Sequence, residues 1–273
     1  MNGGAVISEW VRYQRLSGLE AMHARFDQHV YHRHSHETYS FGVTERGAQA
    51  FTCRGARHTS AAGMVMAFNP DDPHDGHAAD AGGFTYRIVH VPSDVFGYRP
   101  LFAAPVVDDA PAAQALRRLH VALMGPASAL ERDERLAAAV GALGRLASGP
   151  FRGDAPVLGA ASLAARIREH LRERYLEDLS AADLATLAGC SRFALHRAFR
   201  ASYGMTPADY QRQLRLADAR LRLAAGGRAA AVAAETGFAD QAHLTRWFLR
   251  YYGMTPGAFR RAGAGAPVQR RRP

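Results

Sequence analysis

The second half of the chain contains one pattern of apolar and polar positions written twice. The pentapeptide Tyr-Gly-Met-Thr-Pro at residues 203–207 returns at residues 252–256, 49 positions later. Before the first copy, Leu195 and Phe199 are four positions apart, which is the spacing of one helix face. The glycine then provides a helix stop, and Thr-Pro provides the N-cap and the first residue of another helix. Each copy is therefore predicted to be a helix, a tight turn and a second helix.

The first half of the chain shows the period-two alternation of β-strands instead. Short alternating stretches are separated by Gly and Pro-Asp, which predicts a small β-barrel or sandwich. Arg54-Gly55 is predicted to be the tip of a hairpin. The alternating positions are Tyr39, Phe41 and Val43, then Met64, Met66 and Phe68, then Phe84, Tyr86, Ile88 and His90.

Helical spacing resumes between the two halves. Residues 108–147 carry leucines at helical intervals with a break at Gly125-Pro126, and residues 148–159 are rich in Gly and Pro, which predicts a linker. The predicted fold class is α+β. We predict a β domain with a helical segment over residues 1–150, an all-α domain over 160–262, and a disordered basic tail over 263–273.

The charge of the chain differs sharply between these parts. Residues 1–154 contain 15 Arg against 16 Asp and Glu, whereas residues 155–273 contain 19 Arg against 9. A basic half joined to a neutral half predicts a polyanionic partner for the basic one. Neither a membrane helix nor a signal peptide is indicated, so a soluble, cytoplasmic protein without membrane contact is expected.

A helix, a glycine turn and a second helix with basic outer residues is typical of a helix-turn-helix that reads double-stranded DNA. A single copy could equally be a helical hairpin in an all-α core, but two copies with polar and basic patches favour DNA binding. We assign phosphate contacts to Arg192, Arg200 and Arg250. The residues predicted to contact bases are Phe193, His196 and Arg197 in the first copy and Gln241, Ala242, Thr245 and Arg246 in the second copy.

Residues from about 160 to 261 resemble the DNA-binding domain of the AraC/XylS-type bacterial transcription regulators. Residue 229 departs from the family pattern, since Ala stands where a large aliphatic residue is usual, and the alanine run 229–234 predicts a loosely packed helix. The resemblance is carried by Leu184-Ala185 through Gly189, the run from Ser191 to Phe199, residues 203–207, Arg215-Leu216-Ala217, Ala219-Arg220-Leu221, Gly237-Phe238, and Phe248 through Pro256.

Residues 25–92 resemble the cupin-like ligand-binding domain that precedes this DNA domain in the family. A metal-binding cupin has a His-x-His pair, a following Glu and a distant His. Here His34, His36 and His74 fit three of these places, and the Glu position falls at Ser40 or Phe41. Because zinc or iron can be held by three protein ligands, a metal stays open as an alternative. The other interpretations are imidazoles that bind an effector and imidazoles that are only hydrogen-bonded.

The preferred interpretation assigns neither a metal nor a cofactor to this domain. It places a small-molecule effector in a cupin-like β-barrel. The predicted effector-binding residues are His34, His36, Tyr39, His74 and Tyr86.

The resemblance implies a ligand-responsive DNA-binding transcription factor, with no catalytic residues, that forms a homodimer through the helices of residues 108–147. RNA polymerase is a further partner expected of an activator. Three alternatives are helices that only cover the barrel, a metal-dependent cupin enzyme fused to a DNA-binding module, and a methyl-transferring repair regulator. The last needs a cysteine cluster, whereas residues 1–189 contain only Cys53.

Overall fold

The computed structural model describes residues 9–16, 18–150, 160–262 and 268–269. The chain divides into two compact units, one formed by residues 1–151 with 261–273 and the other by residues 152–260. The first contains antiparallel β-strands and two long helices, and the second is helical. This confirms the predicted α+β class. Within the described residues, no helix combines the length and the apolar character needed to cross a membrane.

The first unit is built from two antiparallel sheets that share one long strand. Its strands are β1 (Trp10–Leu16), β2 (Leu19–Phe26), β3 (Tyr31–His34), β4 (Tyr39–Cys53), β5 (Ala56–Ala61), β6 (Val65–Phe68), β7 (His74–Ala78), β8 (Phe84–Val91), β9 (Val106–Val107) and β10 (Val268–Gln269). The first part of β4 pairs with β6 and β8, and its second part pairs with β5 and β7. A shift in register between Thr44 and Arg46 separates the two parts.

The alternation along these strands separates two faces. One face packs against helices α1 (Ala110–Met124) and α2 (Ala129–Gly144) and includes Tyr39, Phe41 and Val89. The opposite face, which we call the inner face, includes Ser40, Gly42, Thr44, Phe68, Tyr86, Ile88 and His90, because these residues are cross-strand partners in the ladders. The fold therefore places an apolar core on one side of the sheet and a more polar surface on the other.

Four leucines of α1 and α2 fill the core of their own unit. Leu116, Leu119, Leu123 and Leu143 are at most 3% exposed and belong to the same cluster as Phe41. These four leucines are therefore not available to a second subunit, and the homodimer implied by the family resemblance stays a prediction. The amphipathic pattern correctly predicted burial, but it could not distinguish burial against the sheet from burial against a second subunit.

A polar network also fastens α1 to the sheet. Glu45 accepts hydrogen bonds from Nε of Arg87 at 3.1 Å and from Nε of Arg117, on α1, at 3.0 Å. A second nitrogen of Arg87 donates to Nδ1 of His120 at 3.0 Å. Nε2 of His120 in turn donates to the carbonyl of Met22 at 3.0 Å. His120 is fully buried, so these bonds hold a neutral imidazole of fixed tautomer between α1 and strands β2 and β8.

Three backbone segments meet near the end of the β4–β8 ladder. Gly47 and Gly83 both have positive φ angles, +68° and +69°. A Cβ atom at Gly47 would lie 2.0 Å from the carbonyl oxygen of Gly83, and one at Gly83 would lie 2.4 Å from that of Phe26. Since the obstructing atoms are backbone, this close approach depends on glycine at both positions.

The segments flanking the strands agree with the sequence in part. The predicted hairpin tip is confirmed, because Arg54 and Gly55 join β4 to β5 with φ angles of +50° and +79°. Residues 148–150, predicted as linker, instead contact the first unit through hydrogen bonds between Ser148, Gly149 and Leu101. The remainder of that linker lies outside the described residues.

Two residues of the tail that was predicted to be disordered, Val268 and Gln269, form a short strand. Val268 and Gln269 pair with Val11 and Trp10 at the edge of the sheet, where β1 offers unpaired backbone groups. The rest of residues 263–273 lies outside the described part of the chain.

The second unit repeats one set of helix boundaries. Its helices are α3 (Ala160–Arg174), α4 (Ala181–Ala188), α5 (Arg192–Tyr203), α6 (Pro207–Ala224), α7 (Ala229–Glu235), α8 (Gln241–Tyr252) and α9 (Pro256–Ala262). Ser191 caps α5 and Asp240 caps α8 through their side chains. Gly204 and Gly253 end these two helices in the left-handed conformation. The predicted duplication is thus present in the structure as well as in the sequence.

The two helix-turn-helix copies differ at their first helices. Ser180 and Asp183 form a capping box at the start of α4. Arg228 occupies the equivalent position before α7 and makes no side-chain capping bond. α7 is anchored through buried Val232 and Ala233, in the middle of the alanine run.

Candidate DNA-reading helices and a histidine cluster

Helices α5 and α8 hold the residues predicted to contact bases. Leu195 and Leu244 are fully buried and hold each helix against its own helix-turn-helix copy. Arg197 and Arg246 follow two positions later, about 200° around the helix, and both are exposed. The structure therefore presents equivalent arginines on equivalent helices, which we call the reader helices.

The remaining predicted DNA contacts are accessible to different degrees. Phe193 is 74% exposed, an unusual position for a large apolar side chain. The exposed residues are Arg192, Phe193, Arg197, Arg200, Gln241, Ala242, Arg246 and Arg250, and the half-buried ones are His196 and Thr245. None of the ten is buried.

Aromatic side chains orient several of these cations. The Arg197 guanidinium lies 5.4 Å from the ring centre of Phe193. In the second helix-turn-helix copy, the Arg250 guanidinium lies 5.0 Å from the centre of the Trp247 ring, and that of Arg212, on α6, lies 3.8 Å from the same ring centre. A cleft of about 380 Å³ beside α8 is lined by residues that include Arg228, Gln241, Thr245 and Arg260. The second helix-turn-helix copy thus has a recess beside its reader helix, and two further cations, Arg228 and Arg260, are among the residues that line it.

The first unit brings four imidazoles together on its inner face. His34 and His74 are direct cross-strand partners on β3 and β7, with ring centres 4.5 Å apart. His36 lies 4.9 Å from His34, 5.4 Å from His74 and 4.5 Å from His90. We call these four residues the histidine cluster. Phe68 stacks on His74 at 4.0 Å and covers one side of it.

Hydrogen bonds to the backbone set the tautomers of two cluster members. Nδ1 of His34 lies 2.7 Å from the carbonyl of His32, and Nδ1 of His74 lies 2.9 Å from that of Asp72. A carbonyl can only accept, so Nδ1 carries the proton and Nε2 carries the lone pair. Burial lowers the pKa of His34 to about 3 and that of His74 to about 4. Both imidazoles are therefore neutral at pH 7.

Four of the five predicted effector residues lie on the inner face, and Tyr39 does not. The Tyr86 hydroxyl hydrogen-bonds that of Tyr31 at 2.8 Å, and burial raises the Tyr86 pKa. Tyr39 instead faces the helix-side core, packs near Phe102 and donates to the carbonyl of Pro100 at 2.7 Å. Its grouping with the histidines was wrong, because alternation separates residues 39 and 40 onto opposite faces without showing which face is which.

His90 and Tyr31 share this surface and were not predicted as site residues. His90 hydrogen-bonds the Ser40 hydroxyl through Nδ1 at 2.8 Å, at one of the two positions where a metal cupin would have Glu. The alternating set of β8 already placed His90 on the same face as Tyr86, so the sequence contained that signal. Tyr31 has no comparable signal, since it reaches Tyr86 only through folding.

These observations define a two-domain protein with a ligand-binding type of β domain and a duplicated helix-turn-helix. Residues 16–140 match the AraC-like ligand binding domain family, and residues 184–262 match a helix-turn-helix domain family. The chain is an AraC-type helix-turn-helix transcriptional regulator.

Similar proteins support this placement. An uncharacterized HTH-type transcriptional regulator, YbfI of Bacillus subtilis (strain 168), is 28% identical over 243 residues, covering 83% of this chain and 86% of its own. Regulatory protein ada of Salmonella typhimurium is 37% identical over 99 residues, 35% of this chain and 28% of its own. Apo ToxT K231A from Vibrio cholerae shares the fold with a TM-score of 0.60 at 12% identity, covering 92% of this chain and 96% of its own.

Proposed function

We propose that this regulator reads DNA through both reader helices and that a small molecule bound at the inner face of the first unit controls it. The observation that carries the DNA part is the equivalence of Arg197 and Arg246, exposed at matching places on two similarly capped helices. A guanidinium can donate two hydrogen bonds to O6 and N7 of guanine in the major groove.

The neighbours of the two arginines give the readers different chemistry. Phe193 and His196 accompany Arg197, so an apolar ring and an imidazole can both reach bases. Arg246 is accompanied by Ala242 and Thr245, which are small. We expect the first reader to discriminate more strongly among base pairs, and we expect the two contact clusters to lie about 10 base pairs apart on one face of the DNA.

Single substitutions of the two arginines test the proposal. Arg197→Ala and Arg246→Ala should each weaken specific binding by about 1–3 kcal/mol and relax preference in only one of two base clusters. Arg200→Ala should weaken binding evenly across sequences, because phosphate contacts position without specifying. The measurement is affinity selection on a randomised operator at fixed salt.

Arg118→Ala is the matched control, since it removes an exposed arginine from α1 in the first unit. It should leave the selected sequence unchanged. An Arg246→Ala profile that loses preference in both clusters together, or in neither, would refute two independent readers.

The inner face supports the effector part of the proposal. It combines neutral imidazoles with the Tyr31–Tyr86 hydroxyl pair, and Phe26 packs against both tyrosines. A ToxT structure from Vibrio cholerae holds an unsaturated fatty acid. The hydrogen-bonding groups here favour a smaller and more polar effector than a fatty acid.

Tyr86→Phe tests this site while preserving the ring that packs against Phe26. A metabolite screen by thermal shift on the full chain identifies a stabilising compound, and the variant should then lose most of that stabilisation with unchanged DNA affinity. Tyr98→Phe, at a tyrosine that is 50% exposed in the same unit, is the control. An equal response of Tyr86→Phe and the parent would place the effector elsewhere.

The other expected partners stay predictions. A homodimer, contact with RNA polymerase, cytoplasmic location and the absence of catalysis all accord with a regulator of this family. Sedimentation of the full chain tests the dimer.

A further inference from the structure

We propose that His34, His36 and His74 form a binding site for a divalent transition metal, with Zn²⁺ as the best-matched ion. One ligand nitrogen from each of the three residues can be chosen so that all lie within 4.8 Å of one another. Tetrahedral zinc with bonds of about 2.0–2.1 Å requires nitrogens about 3.3 Å apart. Binding would therefore draw the nitrogens together by up to about 1.5 Å through side-chain rotation.

The tautomers of the two buried histidines suit this role. Their Nδ1 protons are directed to the carbonyls of His32 and Asp72, which leaves Nε2 as the nitrogen with the lone pair. Proteins usually orient a metal-binding imidazole by a hydrogen bond from its other ring nitrogen to a backbone carbonyl or a carboxylate. These two cross-strand partners, each held by the carbonyl two residues earlier in its own chain segment, give the site a rigid base.

The composition of the site selects the class of ion. Three neutral imidazoles without a carboxylate disfavour Ca²⁺ and Mg²⁺, which prefer oxygen ligands, and favour Zn²⁺ and its neighbours. The nearby Asp72 is engaged by Arg54 and Asn69. Three neutral ligands leave the charge of the ion uncompensated, so a fourth position would take water or an anionic group.

This assignment deepens the proposed function, because a metal on the inner face would offer the effector a coordination position. The two ideas can nevertheless fail separately. Metal binding is measured with no effector present, and the Tyr86→Phe test of the effector leaves the three histidines intact.

Zn²⁺ titration of the chelator-stripped, untagged full chain is the decisive experiment. We expect one equivalent to bind with a Kd of about 1 µM or below. His36→Gln should weaken binding by more than about 100-fold, since loss of a supporting outer partner alone costs 10- to 100-fold. This residue is only half-buried, so the variant is expected to fold, and circular dichroism checks it. His74→Gln is the second ligand variant.

His77→Gln provides the matched control, because it removes a half-buried histidine from the same strand as His74. It should bind Zn²⁺ like the parent. Co²⁺ in place of Zn²⁺ should give visible bands of a nitrogen-bound, four- or five-coordinate ion without thiolate charge transfer, since Cys53 is not among the three ligands. Binding weaker than about 1 mM, or equal losses in His36→Gln and His77→Gln, would overturn the proposal.

Discussion

Replacing Gly47 with Ala is expected to destabilise the first unit by about 2–6 kcal/mol, the combined cost of a left-handed non-glycine residue and of overpacking. The new methyl group would lie 2.0 Å from the carbonyl oxygen of Gly83, so one of the two backbones must move. Gly83 lies in a close approach of its own, since a Cβ added there would lie 2.4 Å from the carbonyl oxygen of Phe26. Given total stabilities of about 5–15 kcal/mol, much of the unit's margin would be lost.

Gly55→Ala separates backbone conformation from crowding. Gly55 has a φ of +79° but no atom within 4 Å of its added Cβ, so only the left-handed cost of about 1–2 kcal/mol applies. Urea unfolding in a Trp247→Phe background measures both variants, because Trp10 then reports on the first unit as the remaining tryptophan of two. Equal losses at Gly47 and Gly55 would show that the three segments are not tightly apposed.

Acid is expected to destabilise the first unit by about 3 kcal/mol through His120 alone between pH 7 and pH 4. Burial, followed by the charge of Arg87, lowers the His120 pKa from 6.5 to about 3. Between these two values the unfolded chain binds a proton that the folded chain excludes, so stability falls as the pH falls. His23, which lies beside His120, has its pKa lowered to about 4 and adds in the same direction.

His120→Gln should flatten this dependence by roughly 1 kcal/mol per pH unit between pH 6 and pH 4. Its amide can still accept from Arg87 and donate to the carbonyl of Met22, although some packing is lost at every pH. His58→Gln, at a half-exposed position on β5, controls for removing a histidine as such. The measurement is the free energy of unfolding against pH in the Trp247→Phe background, and an unchanged slope in His120→Gln would contradict the argument.

The second unit could be predicted closely because its signals are local. Caps, glycine stops and buried stripes act within one or two helical turns, and Ser191, Gly204 and Thr206 perform the roles that their sequence positions indicate. Arg228 shows the limit of that reasoning, because an equivalent position does not guarantee an equivalent cap.

The first unit could be predicted only in outline because its site depends on long-range register. The shift between Thr44 and Arg46 returns Gln49 to the inner face, where it donates to Thr44 at 2.9 Å. One extra residue in a strand reverses every later side chain. The polar network of Glu45, Arg87 and His120 likewise joins positions up to 75 residues apart.

The missing cap on α7 has a consequence for the order in which the DNA domain loosens. A seven-residue helix without a side-chain cap gains little from its own backbone, and α7 depends on Val232 and Ala233 for anchorage. Its amide protons should exchange with solvent sooner than those of α4. On binding to the operator, the second half of the domain would therefore lose more conformational entropy than the first half. Its contribution to the DNA affinity would decrease more steeply as the temperature rises.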